Sequence, residues 1–235
     1  MTDFSRIRTI LWDIDGTLLD FEASEKLCIR LCAANQGCQV TDEQIVIYNG
    51  INKSYWEALE RGEVTKDYLY QARFRDWFGR MGFTDIDPVR MNEDYQVALG
   101  EHPVLREDTL YVLKTLRDAG YKQYAVTNGS NVAQSGKLKE SGVGDYFDGI
   151  YISEHIGIPK PNKEYFDYVQ GETGYDPNTT VIIGDSLTSD IKGGNNAGIP
   201  TIWYRLPNSA DNACYSVDAE VRTLSAILDL LGVER

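Results

Sequence analysis

Histidine is nearly missing from the 235 residues, with only His102 and His155, and the four cysteines form no C-x-x-C pair. Cys28 and Cys32 share a helix face at i,i+4, but a tetrahedral zinc site needs further donors nearby, and both histidines lie far off in sequence. The thiols therefore read as buried and reduced. Long apolar runs are missing too, since none approaches the roughly 18 residues a membrane helix needs. The start, Met1-Thr2-Asp3-Phe4, carries no signal-peptide pattern, so the expected location is the cytoplasm. Positive charge is scarce: 23 Lys and Arg face 36 Asp and Glu, for a net charge of -13. That argues against a nucleic-acid backbone as partner, which needs a basic face. A small anionic substrate stays open if a few cations are focused locally. Neither G-x-x-x-x-G-K-[ST] nor G-x-G-x-x-G occurs, so the usual nucleotide cradles are absent. There are no internal repeats and no low-complexity segment.

What is present centres on Ile10-Leu11-Trp12-Asp13-Ile14-Asp15-Gly16-Thr17. The apolar run from Ile7 to Trp12 reads as a buried strand. Two carboxylates follow it, spaced to share one side of an extended chain. Acids held that close repel unless a cation or a shared proton relieves them. A calcium loop also begins D-x-D, but it wants glycine sixth and glutamate twelfth, where this chain has Leu18 and Ser24. A simple turn explains Asp15-Gly16 and leaves Asp13 unexplained.

From Phe21 to about Leu99 the periodicity is helical, with four helices expected near 20–36, 41–61, 65–81 and 88–99. Thr41 and Gln44 form a capping-box pattern at the start of the second. An α/β rhythm follows: helix 106–119, strand 121–126, helix 131–140, strand 149–152 and an irregular loop 156–161. Helix 163–170, strand 179–183, helix 187–197, strand 201–204 and helix 224–231 complete it. The fold class is α/β, a doubly wound parallel sheet with helices on both faces and an inserted all-helical cap. The expected division is a core of 1–19 and 102–235 with a cap of 20–101. Ligands in such sheets bind outside the carboxyl ends of the strands. Asp13 and Asp15, Thr127 and Asn128, and Asp185 all fall there, with Lys160 in the loop between and Asp190 in the helix after Asp185. Singly, each has a plain reading: Asn128-Gly129 as a turn pair, Asp185-Ser186 as a helix cap, Lys160 as a surface lysine.

Together, Asp13-x-Asp15-Gly16-Thr17, Thr127, Lys160 and Gly184-Asp185-x-x-x-x-Asp190 resemble, in order, the four motifs of the haloacid-dehalogenase-like phosphohydrolases. A narrower resemblance, to the noncanonical pyrimidine nucleotidases, lies in Asn52-Lys53-x-x-Trp56, Glu60-x-Gly62, Arg73-Phe74-x-x-Trp77, Ile152-Ser153-Glu154 and Lys160-Pro161-Asn162-Lys163. The resemblance implies removal of a 5′-phosphate from a nucleoside monophosphate with Mg2+ as cofactor. Asp13 would be the nucleophile forming an aspartyl phosphate, and Asp15 the general acid and base. Asp13, Asp185 and the Asp15 backbone carbonyl would hold the ion, with Asp190 behind them. Thr127, the Asn128 amide and Lys160 would hold phosphate, and Asn52, Trp56 and Arg73 would read the leaving group from the cap. Alternatives are a phosphoglycolate or sugar-phosphate phosphatase, or a phosphomutase, of the same superfamily. Asp15 and Thr17 disfavour true dehalogenation. A phospho-aspartate receiver domain also combines paired acids, Thr and Lys. Its phosphoacceptor follows a later strand than the acid pair, however, and it needs no long helical insert.

Overall fold

The computed structural model describes residues 2–207, 209 and 214–234. Met1 and Arg235, the outer limits of the expected core, lie outside the described residues. Six parallel strands form one sheet: β1 (Thr9–Trp12), β2 (Lys122–Thr127), β3 (Gly149–Ile152), β4 (Thr180–Gly184), β5 (Thr201–Tyr204) and β6 (Ala219–Val221), in the order β3-β2-β1-β4-β5-β6. β1 therefore lies in the interior, with Thr9 beside Lys122 of β2 and Thr180 of β4. The strand is two residues shorter at its start than the apolar run suggested.

Alternate side chains along the strands feed two separate cores, as a pleated sheet covered on both faces requires. Ile10, Trp12, Ala125, Val181, Ile183 and Ile202 pack with α5 (Thr109–Asp118) and α10 (Ser225–Leu231). Leu11, Val126 and Ile182 pack with Tyr165, Phe166 and Val169 of α8 (Lys163–Thr173). β6 is a strand that sequence patterning missed. Its three residues, Ala-Glu-Val, are too few to show alternation, and its pairing to β5 creates it.

Between β1 and α5 run four helices, α1 (Phe21–Asn35), α2 (Asp42–Glu60), α3 (Lys66–Met81) and α4 (Pro88–Glu101). Each start has a local cause. Asp20, Thr41, Thr65 and Asp87 accept from first-turn amides, and Thr41 with Gln44 completes the capping box. These helices enclose a third core around Ile45, Tyr48, Phe74, Trp77, Met91 and Tyr95, where the rings of Tyr48 and Phe74 stack at 5.0 Å. The chain leaves for this insert and returns from it at one place. Leu19 and Leu105 form an antiparallel bridge, and the Asp20 amide donates to the Val104 carbonyl at 2.8 Å.

α6 (Asn131–Glu140) follows β2, and its Gly136 lies against Gly100 of α4. The helix expected over 187–197 is two pieces, a π-helical turn (Leu187–Ile191) and α9 (Lys192–Ala197). Ser153–Ile156 forms a single further turn, α7, directly after β3.

Candidate active site

Strand ends gather the polar groups at one edge of the sheet. The Asp13 amide still donates to the Ile183 carbonyl at 2.9 Å, so the β1–β4 ladder carries this residue to its place. Its carboxylate is buried and accepts from the Thr17 hydroxyl at 3.1 Å and from the Lys160 ammonium at 2.8 Å. Lys160 Nζ, 1% exposed, also donates to Asp190 Oδ1 and to the Val126 carbonyl, both at 2.7 Å. Three donors thus meet three acceptors, and the ammonium is fully satisfied inside the protein. Burial alone would lower the Lys160 pKa, but the Asp13 and Asp190 carboxylates outweigh it and hold the side chain charged.

The acids crowd one another. Burial, with the Asp190 charge adding to it, pushes Asp13 up to about 7 against the pull of Lys160. Burial and the carboxylates of Asp13 and Asp190 also raise Asp185 well above the ordinary carboxylate range. Oxygens of Asp13, Asp185 and Asp190 lie within 4.8 Å of one another. Such a set of hard oxygen donors, three carboxylates against the single ammonium of Lys160, suits a hard dication. Two glycines make the cluster possible: a Cβ on Gly16 (φ +91) would stand 2.5 Å from Asp185 Oδ2, and one on Gly184 would stand 2.2 Å from the Asp190 carboxyl carbon. Asp190 is fixed from its own loop as well, because Oδ2 accepts from the Ser186 amide at 3.1 Å.

Thr127 is buried at the end of β2, and its hydroxyl accepts from the Gly129 amide at 3.0 Å. Asn128 does something that sequence reading, which assigned only its backbone amide, did not foresee. Its side chain accepts from the Lys160 amide and donates to the Lys160 carbonyl, both at 2.8 Å, clamping the backbone of the lysine. Asp15 departs from expectation in its surroundings. β1 ends at Trp12, the chain bends at Gly16, and the Asp15 carboxylate turns to α6, accepting from Gln134 Nε2 and Lys137 Nζ, both at 2.6 Å. Arg106, also unread in the sequence, donates to the Gly16 carbonyl at 2.9 Å and steadies this bend.

Two of the three residues expected to read the leaving group from the cap lie in its interior. Asn52 and Arg73 are buried in the helical insert and bonded to each other at 3.0 Å. Arg73 also donates to Asn92 at 2.8 Å and lies over the rings of Phe74 and Tyr95 at 4.9 and 5.0 Å. Asn52 donates at 2.8 Å to Glu25, whose same oxygen accepts from the Tyr95 hydroxyl at 2.9 Å. Trp56 is half-buried, with the Lys66 ammonium 6.0 Å from its ring.

Lys66, in turn, donates to the Gly129 carbonyl at 2.7 Å, and burial pushes it down to about 8 despite Glu154 nearby. Tyr70 donates to Glu154 of α7 at 3.0 Å and Ser130 to Gln96 at 2.6 Å, so the insert is fastened over the segments that follow β2 and β3. Glu60, ending α2, is pushed by burial up to about 7, and its Oε2 is buried with no partner among the described residues. The sequence marks Glu60 only within Glu60-x-Gly62, and its setting near Thr188, Asp190 and Lys160 comes from the packing.

A family model described as haloacid dehalogenase-like hydrolase matches residues 7–198. The HAD-hydrolase YfnB of Bacillus subtilis is 35% identical over 97% of both chains. Its solved structure, which contains magnesium and is described as revealing interdomain movement, superposes with a TM-score of 0.91 at 34% identity, covering 97% of this chain and 100% of that one. The pyrimidine 5′-nucleotidase PynA of Streptococcus pneumoniae is 33% identical over 94% of both chains. A glyceraldehyde 3-phosphate phosphatase of Methanopyrus kandleri is 40% identical over 85% of this chain and 84% of its own.

Proposed function

The chain belongs to the haloacid dehalogenase-like hydrolases, and from that premise we propose that it is a phosphomonoesterase acting on nucleoside 5′-monophosphates with a pyrimidine base. The observation that carries the reading is Lys160, a buried ammonium joining Asp13 to Asp190 at the ends of three strands. Residues 20–101 act as the cap, and 1–19 with 102–235 as the core.

One oxygen of Asp13 attacks phosphorus, the bond to the leaving ribose oxygen breaks, and an aspartyl phosphate forms. Asp15 gives its proton to that oxygen. It then takes one from the water that attacks phosphorus, which releases phosphate and restores Asp13. Lys160 offsets charge on the nucleophile and the phosphate, while the Thr127 hydroxyl and the Asn128 amide hold phosphate oxygens. Asp13 and Asp185, with the Asp15 backbone carbonyl, would hold Mg2+, and Asp190 would steady the set. When bound, Mg2+ supplies the positive charge that lets an anionic nucleophile approach an anionic phosphate. From the cap, Trp56 and Lys66 border the leaving group, and Asn52 and Arg73 act from behind them by fixing α2 against α3. PynA supports the choice of a pyrimidine nucleotide.

A second reading, a small sugar phosphate as substrate, draws on the glyceraldehyde 3-phosphate phosphatase relative. A hydrolysis panel with Mg2+, covering pyrimidine and purine 5′-monophosphates and glyceraldehyde 3-phosphate, decides between them. Pyrimidine monophosphates are expected to turn over fastest, and equal or faster turnover of purines or the triose phosphate removes the nucleotidase assignment. Asp13→Asn is expected to abolish turnover of every substrate. Release of phosphate at the parent's rate by that variant would end the covalent scheme.

A further inference from the structure

Lys137 and Gln134 contribute to none of the steps above, yet both reach the carboxylate on which proton transfer depends. They lie three residues apart on α6 and so share a face. Gln134 is fully buried, the Lys137 side chain is 2% exposed, and the Asp15 side chain they grip is 23% exposed. Lys137 donates to Oδ1 and Gln134 to Oδ2, each at 2.6 Å. One donor on each oxygen fixes both the position of the carboxylate and the plane in which it lies. A single donor would leave it free to swing.

A plain folding role accounts poorly for this pair. Burying an ammonium carries a desolvation cost that an ion pair barely recovers, so an apolar side chain of similar volume would stabilise at least as well. Lys137 also lies 4.9 Å from the Phe21 ring, a seat a methionine could fill. Moreover, the partner chosen is the acid proposed for proton transfer, whose side chain stays 23% exposed.

Two more observations concern Gln134. Its Oε1 is buried without a partner among the described residues, so the amide pays for a lost hydrogen bond in order to keep Nε2 on Asp15. The chain also makes room for it: a Cβ on Gly129 would stand 2.2 Å from Nε2, although Gly129 has no left-handed backbone angle that would demand glycine. The glycine of Thr127-Asn128-Gly129 therefore serves the approach of this amide to Asp15.

From this geometry we infer that Lys137 and Gln134 are positioning residues that hold the Asp15 carboxylate in line with the leaving-group oxygen. The inference rests on the acid–base role proposed for Asp15, and the test separates the two. The leaving group decides the readout. A ribose alkoxide needs a proton to depart, whereas p-nitrophenolate departs without one. Lys137→Met and Gln134→Leu, checked for folding by thermal melting, are mixed rapidly with Mg2+ and either uridine 5′-monophosphate or p-nitrophenyl phosphate, and the first release of uridine or p-nitrophenolate is read before the shared aspartyl phosphate is hydrolysed. For each variant the rate of first release from the nucleotide is expected to fall by about 10-fold to 100-fold, part of what general acid catalysis contributes. KM should stay within about 2-fold and the aryl phosphate lose less than about 3-fold, with Lys137→Arg recovering part of the loss.

Asp15→Asn is the control. If Asp15→Asn discriminates between the substrates while Lys137→Met and Gln134→Leu do not, the positioning role is overturned and the acid–base role stands. If Asp15→Asn slows the first release equally for both substrates, the proton-donor role of Asp15 falls and takes this inference with it. Should Lys137→Met fail to fold, Gln134→Leu carries the comparison alone.

Discussion

The Glu25 carboxyl lies inside the helical insert between the Asn52 amide and the Tyr95 hydroxyl, and burial pushes it up to about 7 from its ordinary 4.5. Between those values the folded protein holds a proton that the unfolded chain has released. This group's contribution to stability is therefore complete below about 4.5 and is lost as pH rises through about 7, a change of roughly 3 kcal/mol. Glu25→Gln removes the titration while keeping an acceptor for Asn52 and Tyr95. Melting of parent and variant from pH 5 to pH 8 is expected to show a difference that moves in favour of the variant as pH rises. A constant difference would mean that Glu25 ionises as readily inside the protein as outside. Side-chain partners of this kind were invisible in the sequence. Arg73 and Asn52 stand out there as polar residues on amphipathic helices, and only the rotation of α2 against α3 decides that they face each other.

Among the elements, α4 and α6 meet more closely than side chains allow. A Cβ on Gly136 would come within 2.6 Å of the Gly100 Cα, whereas one on Gly100 would meet Gly136 at 3.3 Å. Backbone cannot yield as a flexible side chain does, so Gly136→Ala is expected to destabilise by about 1–3 kcal/mol and Gly100→Ala by less. Chemical denaturation of the two variants checks the order. α6 itself was legible end to end, from Ser130 before it to Ser141-Gly142 after it, because its limits are set by local caps. The four helices of the insert were readable within a residue or two for the same reason. Elements made by their neighbours were not: β6 exists through its pairing with β5, and the π-helical turn at Leu187–Ile191 accompanies the bonds that Asp190 makes to Lys160 and Ser186. The positions of Asp13, Thr127, Lys160 and Asp185 followed from the rule that ligands gather at strand ends. The hold of Lys137 and Gln134 on Asp15 depends on how α6 is turned, which periodicity of so short a helix leaves open.

For the whole molecule, the crowded carboxylates of Asp13, Asp185 and Asp190 are expected to make the folded state responsive to a dication. A ligand that binds only the native protein at 100 times its dissociation constant adds about 2.7 kcal/mol. Mg2+ is thus expected to raise the melting temperature of the parent by several degrees and that of Asp185→Asn by much less. Chelation should reverse the rise and abolish turnover together. An equal shift in both proteins would place the ion elsewhere.

The meeting of Leu19 with Leu105, and of Asp20 with Val104, carries a consequence of its own. Everything between those two pairs is, topologically, a single excursion whose exit and re-entry are stitched side by side. The register of β1 against β2 and β4 does not depend on what the excursion contains. Four helices could be exchanged for a different set of any length without shifting Asp13 along the sheet.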